Sequence, residues 1–374
     1  MKYYIIAGEA SGDLHAANLI KELRKRDTHA DIRFWGGDKM LEAGGTQVMH
    51  YKDTAFMGFL EVAKNLPTIL NFIKFCKQDI QAYKPDAIIL VDYPGFNLRI
   101  AKWAKEAGFT VYYYISPTVW AWKASRVHIV GKNVRKMFTI LPFEKAFYKK
   151  YNYDVEYCGH PLLDAIAQYK PVLANLVVAP DNLLLLLPGS RKQEVEAMLP
   201  VMLQAAATLP GARIVIAGVN ALPESLYKSL TAGYTVEVVY NQTYDMLSQA
   251  RAAIVTSGTA SLETALFNVP QMIVYKTSTI SFTIAKWVAN VKYIGLPNLI
   301  MDAPVVKELI QDDFTINNIT AELGLIWNDT PRRKEILEQY AILKQKLGIS
   351  GASSCVAQKI WDDLQIVKAH PTAS

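Results

Sequence analysis

The sequence predicts an α/β protein made of two tandem doubly wound domains that face a cleft. Three observations predict it. Strand-like and helix-like segments alternate from residue 2 to residue 275, the pattern of a parallel sheet covered by helices on both faces. The run Leu183-Leu184-Leu185-Leu186-Leu187 is unbroken and apolar, as a strand buried on both faces should be. Glycine and polar residues collect directly after strands in both halves, where doubly wound sheets hold their ligands.

In the first half, residues 2–7 read as a strand, 13–26 as a helix and 32–35 as a strand. Residues 87–91 and 111–115 are short apolar runs rich in β-favouring residues. Between them, 96–107 has helical spacing, with Ile100, Trp103, Ala104 and Ala107 as its apolar face. Residues 137–141 and 155–157 are further strands. Residues 168–182 carry Pro171 and Pro180 with little periodicity and read as the linker. The second half runs strand 183–187, helix 193–207, strand 213–217, helix 223–230, strand 235–239, helix 244–251, strand 253–256, helix 260–267 and strand 271–275. Helices near 331–347 and 352–366 close the chain. The predicted domains are 1–167 and 183–345, and the helical segment 346–374 has two destinations open to it, the first domain or a partner chain, so a homodimer is among the expectations.

The 374 residues suffice for two full cores, and 51% apolar with 20% charged residues is ordinary for a globular chain. Cys76, Cys158 and Cys355 fit neither a disulfide framework nor a zinc pattern, so the sequence predicts a reducing compartment. No signal-peptide layout precedes the first strand, and no stretch of ~20 apolar residues is present to span a membrane. Residues 1–165 hold 23 Lys and Arg against 17 Asp and Glu, so the whole net charge of +6 sits in the first half. That half is expected to face something anionic. The basic residues are dispersed apart from Arg24-Lys25-Arg26, which argues against nucleic acid.

Six loops carry candidate chemistry. Ser257-Gly258-Thr259-Ala260-Ser261-Leu262-Glu263 joins an apolar strand to a helix. Its bare backbone at Gly258 and Thr259 suits a phosphate at a helix start, and Glu263 suits a ribose diol. The competing reading is a capping box between Thr259 or Ser261 and the glutamate. Gly189-Ser190-Arg191 follows the leucine strand, and Arg191 can set a fixed fork on a diphosphate. Gly295-Leu296-Pro297-Asn298 offers Asn298 to a base edge or the diphosphate, or simply as a turn residue. In the first half, Gly8-Glu9-Ala10-Ser11-Gly12-Asp13 lacks the G-x-G-x-x-G spacing. Ser11 and Gly12 could still cradle an anion, with Asp13 as an ordinary helix cap, while Glu9 should point into the cleft. Asp92 ends an apolar strand, where a general base would be held rigidly. It and Glu9 are alternative bases for an acceptor hydroxyl, Asp92 preferred. Ser116-Pro117-Thr118-Val119-Trp120-Ala121-Trp122, with Lys123 and Arg126, suits a sugar or lipid face or an ordinary packed loop. His15 and His160 lack a second ligand at metal spacing and read as core or hinge residues. There is no D-x-D pair and no Walker pattern, so no metal or cofactor is expected.

Residues 56–77 are strongly apolar, broken by Pro67 and punctuated by lysines. Phe56, Phe59, Leu66 and Leu70 could enter a bilayer interface with Lys64 and Lys74 toward lipid phosphates. The alternative is a helix pair covering the first sheet.

Taken together, Gly8–Asp13, the Asp92 loop, Ser116–Trp122, Leu141-Pro142-Phe143-Glu144, Gly189–Arg191, Ser257–Glu263 and Leu296-Pro297-Asn298 stand in the order found in the lipid-A-disaccharide synthase family, which the chain resembles from about residue 3 to beyond Glu308. The resemblance implies a GT-B glycosyltransferase with two Rossmann-like domains, peripheral on the cytoplasmic face of a Gram-negative inner membrane. It implies inverting transfer from UDP-2,3-diacylglucosamine to 2,3-diacylglucosamine 1-phosphate, giving a β-1,6 bond and UDP. By the same resemblance Asp92 is the proposed base, Arg191 with Ser190 serves the diphosphate, Glu263 and Asn298 line the nucleotide pocket, and Glu9 and Ser11 stand on the acceptor side. Lys276-Thr277-Ser278 replaces a more basic stretch, and Gly295 stands where serine is frequent. The rival reading is another GT-B transferase or a nucleotide-sugar epimerase with a soluble substrate. A further one is a nucleotide-sugar-binding regulator without catalysis.

Overall fold

The computed structural model describes residues 1–54, 66–122, 126–172, 182–277 and 292–369. The chain divides into two compact units, Met1–Ala167 with Ile349–Ser374, and Gln168–Gly348. Each is built on one parallel sheet.

The first sheet has seven strands: β1 (Lys2–Ala7), β2 (Asp31–Gly36), β3 (Thr46–His50), β4 (Ala87–Val91), β5 (Val111–Tyr114), β6 (Lys136–Thr139) and β7 (Glu156–Tyr157), in the order β3-β2-β1-β4-β5-β6-β7. The order reverses between β1 and β4, so the loops leaving these two strands share the switch point where doubly wound sheets bind ligands. Register sets Ala7 beside Val91, which brings Gly8-Glu9 and Asp92-Tyr93 together. The sheet interior is rich in tyrosine: Tyr3, Tyr4, Tyr112, Tyr113 and Tyr114 are all buried. Buried phenols need partners. Tyr4 donates to Asp79 at 2.7 Å, and Tyr3 donates to Asp27 at 3.2 Å.

The last helix, Ala352–Ala369, belongs to this first unit, lies against the helix Ala10–Arg26 and puts Val356, Ala357, Ile360 and Leu364 into its core. Asp164 caps its start, accepting from the N–H of Ser353 at 2.8 Å and of Ala352 at 3.2 Å. Asp363 near its end accepts from Tyr112 at 2.6 Å and pairs with Arg135. This return brings Cys158 and Cys355 together as a disulfide, 197 residues apart in sequence with 5.7 Å between Cα atoms. The expectation drawn from cysteine spacing is thereby corrected: long-range packing, not spacing, pairs the two. Cys76 is buried and free.

The second sheet has six strands: β8 (Leu183–Leu187), β9 (Arg213–Gly218), β10 (Glu237–Tyr240), β11 (Ala250–Thr256), β12 (Gln271–Tyr275) and β13 (Glu308–Ile310), in the order β10-β9-β8-β11-β12-β13. Its switch point lies between β8 and β11, where Leu187 pairs with Val255. The five leucines of β8 are all buried, as strands covered on both faces require. The edge strands β3 and β13 are absent from the sequence reading. Both are short and half-buried, so neither shows an apolar run.

Among the described residues, no helix is long and apolar enough to cross a membrane. The helix Leu66–Tyr83 buries Ile73, Cys76 and Ile80 in the core and leaves Leu70 52% and Phe75 44% exposed beside an exposed Lys74. Phe56, Phe59 and Lys64 lie outside the described residues, as does the side chain of Leu66.

Candidate functional site

The switch point of the first unit is crowded by design. A Cβ placed on Gly8 would stand 2.3 Å from Cγ of Tyr93, so only glycine leaves room for that ring. Asp92 and Tyr93 both adopt left-handed backbone, with φ of 47° and 50°. Such residues cost about 1–3 kcal/mol each and persist where surrounding structure enforces them. Tyr93 is the cap residue of the helix Pro94–Glu106 and makes no side-chain cap bond. Asp92 keeps a window to solvent, and burial raises its carboxyl to about 7. The charge of Glu9 adds to the rise, and the N–H of Tyr93 offsets part of it. A carboxylate poised near neutrality beside a second carboxylate is the arrangement a general base needs.

Glu9 is the half-buried cap residue of the helix Ala10–Arg26, extended, and makes no side-chain cap bond. Ser11 is exposed on the first turn. Gly12 is buried with its Cα face against Ala7, so it packs helix on strand. Asp13 does not cap its own helix. Its buried carboxylate accepts from Gly37, Lys39 and Met40 N–H at 2.7, 3.1 and 3.2 Å and so caps the helix Asp38–Ala43.

The loop after β5 is an inward-packed one in its described part. Ser116 is buried with its hydroxyl 2.7 Å from that of Tyr148, and Trp120 stands edge-on to Phe143 with ring centres 5.0 Å apart. Glu144, buried and raised to about 7 by that burial, accepts from Leu141 N–H at 3.0 Å and Ile140 N–H at 3.2 Å. Lys123 lies outside the described residues, as do the side chains of Trp122 and Arg126. His15 and His160 are core residues: burial lowers them to about 4 and about 3. Among the described residues no group of His, Cys, Asp and Glu is placed to hold a metal ion.

In the second unit, Gly189-Ser190-Arg191 leaves β8 and Ser257-Gly258 leaves β11, at the same switch point. Arg191 is 66% exposed and reaches Glu194 at 3.2 Å. Glu194 also accepts from Ser190 N–H at 3.1 Å and Arg191 N–H at 3.3 Å, closing the start of the helix Lys192–Ala206. With Arg191 so exposed, the pair is worth about 0–1 kcal/mol. The helix Thr259–Leu266 is different. Gly258 and Thr259 are exposed and no side chain caps them. An exposed helix start of this kind suits an anion.

Glu263 makes no capping box. It turns to Tyr244, whose hydroxyl donates to it at 2.7 Å, and burial raises its carboxyl. Tyr244 opens a predicted helix, and nothing local marks it as the partner of a glutamate 19 residues away.

Asn298 is buried at 1% exposure, and its amide is fully engaged. It donates to Val306 O and Glu308 at 2.9 Å each and accepts from Val306 N–H at 2.9 Å. Glu308 in turn accepts from Ile294 and Gly295 N–H at 3.0 Å each. Asn298 thus shapes the Ile294-Gly295 turn from beneath. Glycine at 295 has its own cause: a Cβ there would stand 2.1 Å from a methyl of Ile273.

Two parallel sheets with these strand orders, each carrying polar loops at its switch point, define a protein of the two-domain glycosyltransferase fold class. The Neisseria meningitidis UDP-GlcNAc 2-epimerase bound to UDP-GlcNAc superposes with a TM-score of 0.70 at 14% identity, over 97% of this chain and 100% of that one. The glycosyltransferase of kitacinnamycin does so with a TM-score of 0.67 at 12% identity, over 96% and 98%.

The chain belongs to the lipid-A-disaccharide synthase family: the family model for lipid-A-disaccharide synthetase matches residues 3–360. The lipid-A-disaccharide synthase of Syntrophus aciditrophicus is 40% identical over 94% of this chain and 95% of its own length. That of Geobacter sulfurreducens is 36% identical over 94% of each. The protein is a glycosyltransferase of lipid A biosynthesis.

Proposed function

We propose that the enzyme transfers the sugar of UDP-2,3-diacylglucosamine to the 6-hydroxyl of 2,3-diacylglucosamine 1-phosphate, inverting the donor carbon. Asp92 takes the hydroxyl proton as the acceptor oxygen bonds to the anomeric carbon. The bond from that carbon to the diphosphate breaks, and its electron pair leaves with UDP. Arg191 and the open N–H groups at Gly258 and Thr259 stabilise the departing charge, as fixed donors do best. Ser190 is part of the same turn, and Glu263, held by Tyr244, receives the ribose. Glu9 tunes Asp92, with Ser11 and Gly12 on the acceptor side.

The observation that carries this reading is Asp92: left-handed, raised to about 7 and placed at a switch point. The epimerase likeness is one of fold alone, and family membership favours transfer. The test is a mass-spectrometric assay with both glycolipids. Asp92→Asn should lower kcat by ~10²–10⁴-fold, the usual worth of a general base, and still bind UDP. Turnover within a few-fold of wild type would remove Asp92 from the mechanism.

The enzyme meets its acylated substrates on the anionic cytoplasmic face of the inner membrane. Leu70 and Phe75, exposed beside Lys74, support this, as does the basic excess of the first half. Sedimentation with anionic liposomes should weaken in the Leu70→Ser, Phe75→Ser double variant. Equal binding by wild type and variant would count against this surface.

A further inference from the structure

The left-handed turn at Asp92 needs something to hold it, and two side chains converge on its main-chain carbonyl. Tyr113, buried on β5, donates its hydroxyl at 2.6 Å. Asn97, wholly buried one turn into the helix Pro94–Glu106, donates its amide at 2.7 Å. The same amide lies 3.3 Å from Val91 O and 3.5 Å from Ile6 O, so it reaches the ends of both β4 and β1. The N–H of Asp92 is also taken, by Tyr114 O at 3.0 Å. Both main-chain polar groups of Asp92 are therefore fixed from strands and helix.

We propose that Tyr113 and Asn97 are positioning residues for Asp92: they clamp its carbonyl and so keep the turn in the conformation that aims the carboxylate. Neither residue touches substrate in this scheme. A clamp on backbone is what an aligned base requires, since a misplacement of about 1 Å can cost ~10²-fold in rate. The local sequence hides it, because the phenol comes from the neighbouring strand, 21 residues away. The inference rests on Asp92 being the base.

The experiment is a double-mutant cycle in the intact enzyme. Tyr113→Phe removes one oxygen and leaves the packed ring. It should lower kcat by ~10-fold or more while KM for both substrates stays within about twofold. In an Asp92→Asn background the same change should cost nothing further, because there is no longer a base to aim. Asn97→Ala should behave likewise, and Tyr113→Phe stands alone should that variant fail to fold. Wild-type kcat in folded Tyr113→Phe overturns the clamp, as does a loss that repeats in full in the Asp92→Asn background. Near-normal turnover in Asp92→Asn itself would remove the base assignment and the clamp with it, whereas deep loss in Asp92→Asn beside normal Tyr113→Phe would remove the clamp alone.

Discussion

The two switch points are built on opposite plans. In the first unit the proposed base is a carboxylate forced into place: a left-handed backbone, a glycine vacated for Tyr93, and burial that lifts Asp92 to about 7. In the second unit such crowding is found at Gly295 and not at Gly258. Arg191, Gly258 and Thr259 are exposed, while Glu263 is held by Tyr244 and Asn298 by Val306 and Glu308. The proposed roles account for the difference. A base must be desolvated and aimed before substrate arrives, at the expense of local strain. A diphosphate brings its own charge and needs only donors that wait at a helix start.

Charge should matter most where donors are exposed. Arg191→Ala is expected to lower transfer by at least ~100-fold, as for loss of one charge-assisted donor to a developing anion. Near-normal rates in that variant would break the comparison on the second-unit side. Crowding should matter on the other side. Gly8→Ala drives a methyl into Tyr93, so kcat should fall by ~10-fold or more through displaced geometry, with UDP affinity unchanged by titration. Loss of UDP binding instead would mean that the first unit grips the nucleotide.

The smallest effect is in pH. The proposed mechanism needs Asp92 ionised, so kcat/KM should fall tenfold per unit as pH drops below about 7. Glu9 raises Asp92 less than burial does. Glu9→Gln should therefore move this acid limb to lower pH without abolishing it. An unmoved limb would mean that the two carboxylates do not interact.

Much of this could be read from sequence because strand ends in doubly wound sheets are local events. An apolar run such as Ala87–Val91 followed by Asp92, or Leu183–Leu187 followed by Gly189, declares both the strand and the loop that matters. What escaped was long-range. Cys158 meets Cys355 only because the final helix returns, and Tyr244 reaches Glu263 from another helix. Asp13 looks like a cap for its own helix yet caps the next one. Asn298 looks like a ligand group yet is committed to Glu308 and Val306. Polar side chains in loops show their type in sequence, but not which way they turn.

Hydrogen exchange of the full chain with and without UDP tests the division of labour most directly. UDP should slow exchange at residues 189–191 and 257–260 and leave 8–12 and 92–97 unchanged. Protection confined to 8–12 and 92–97 would contradict the account.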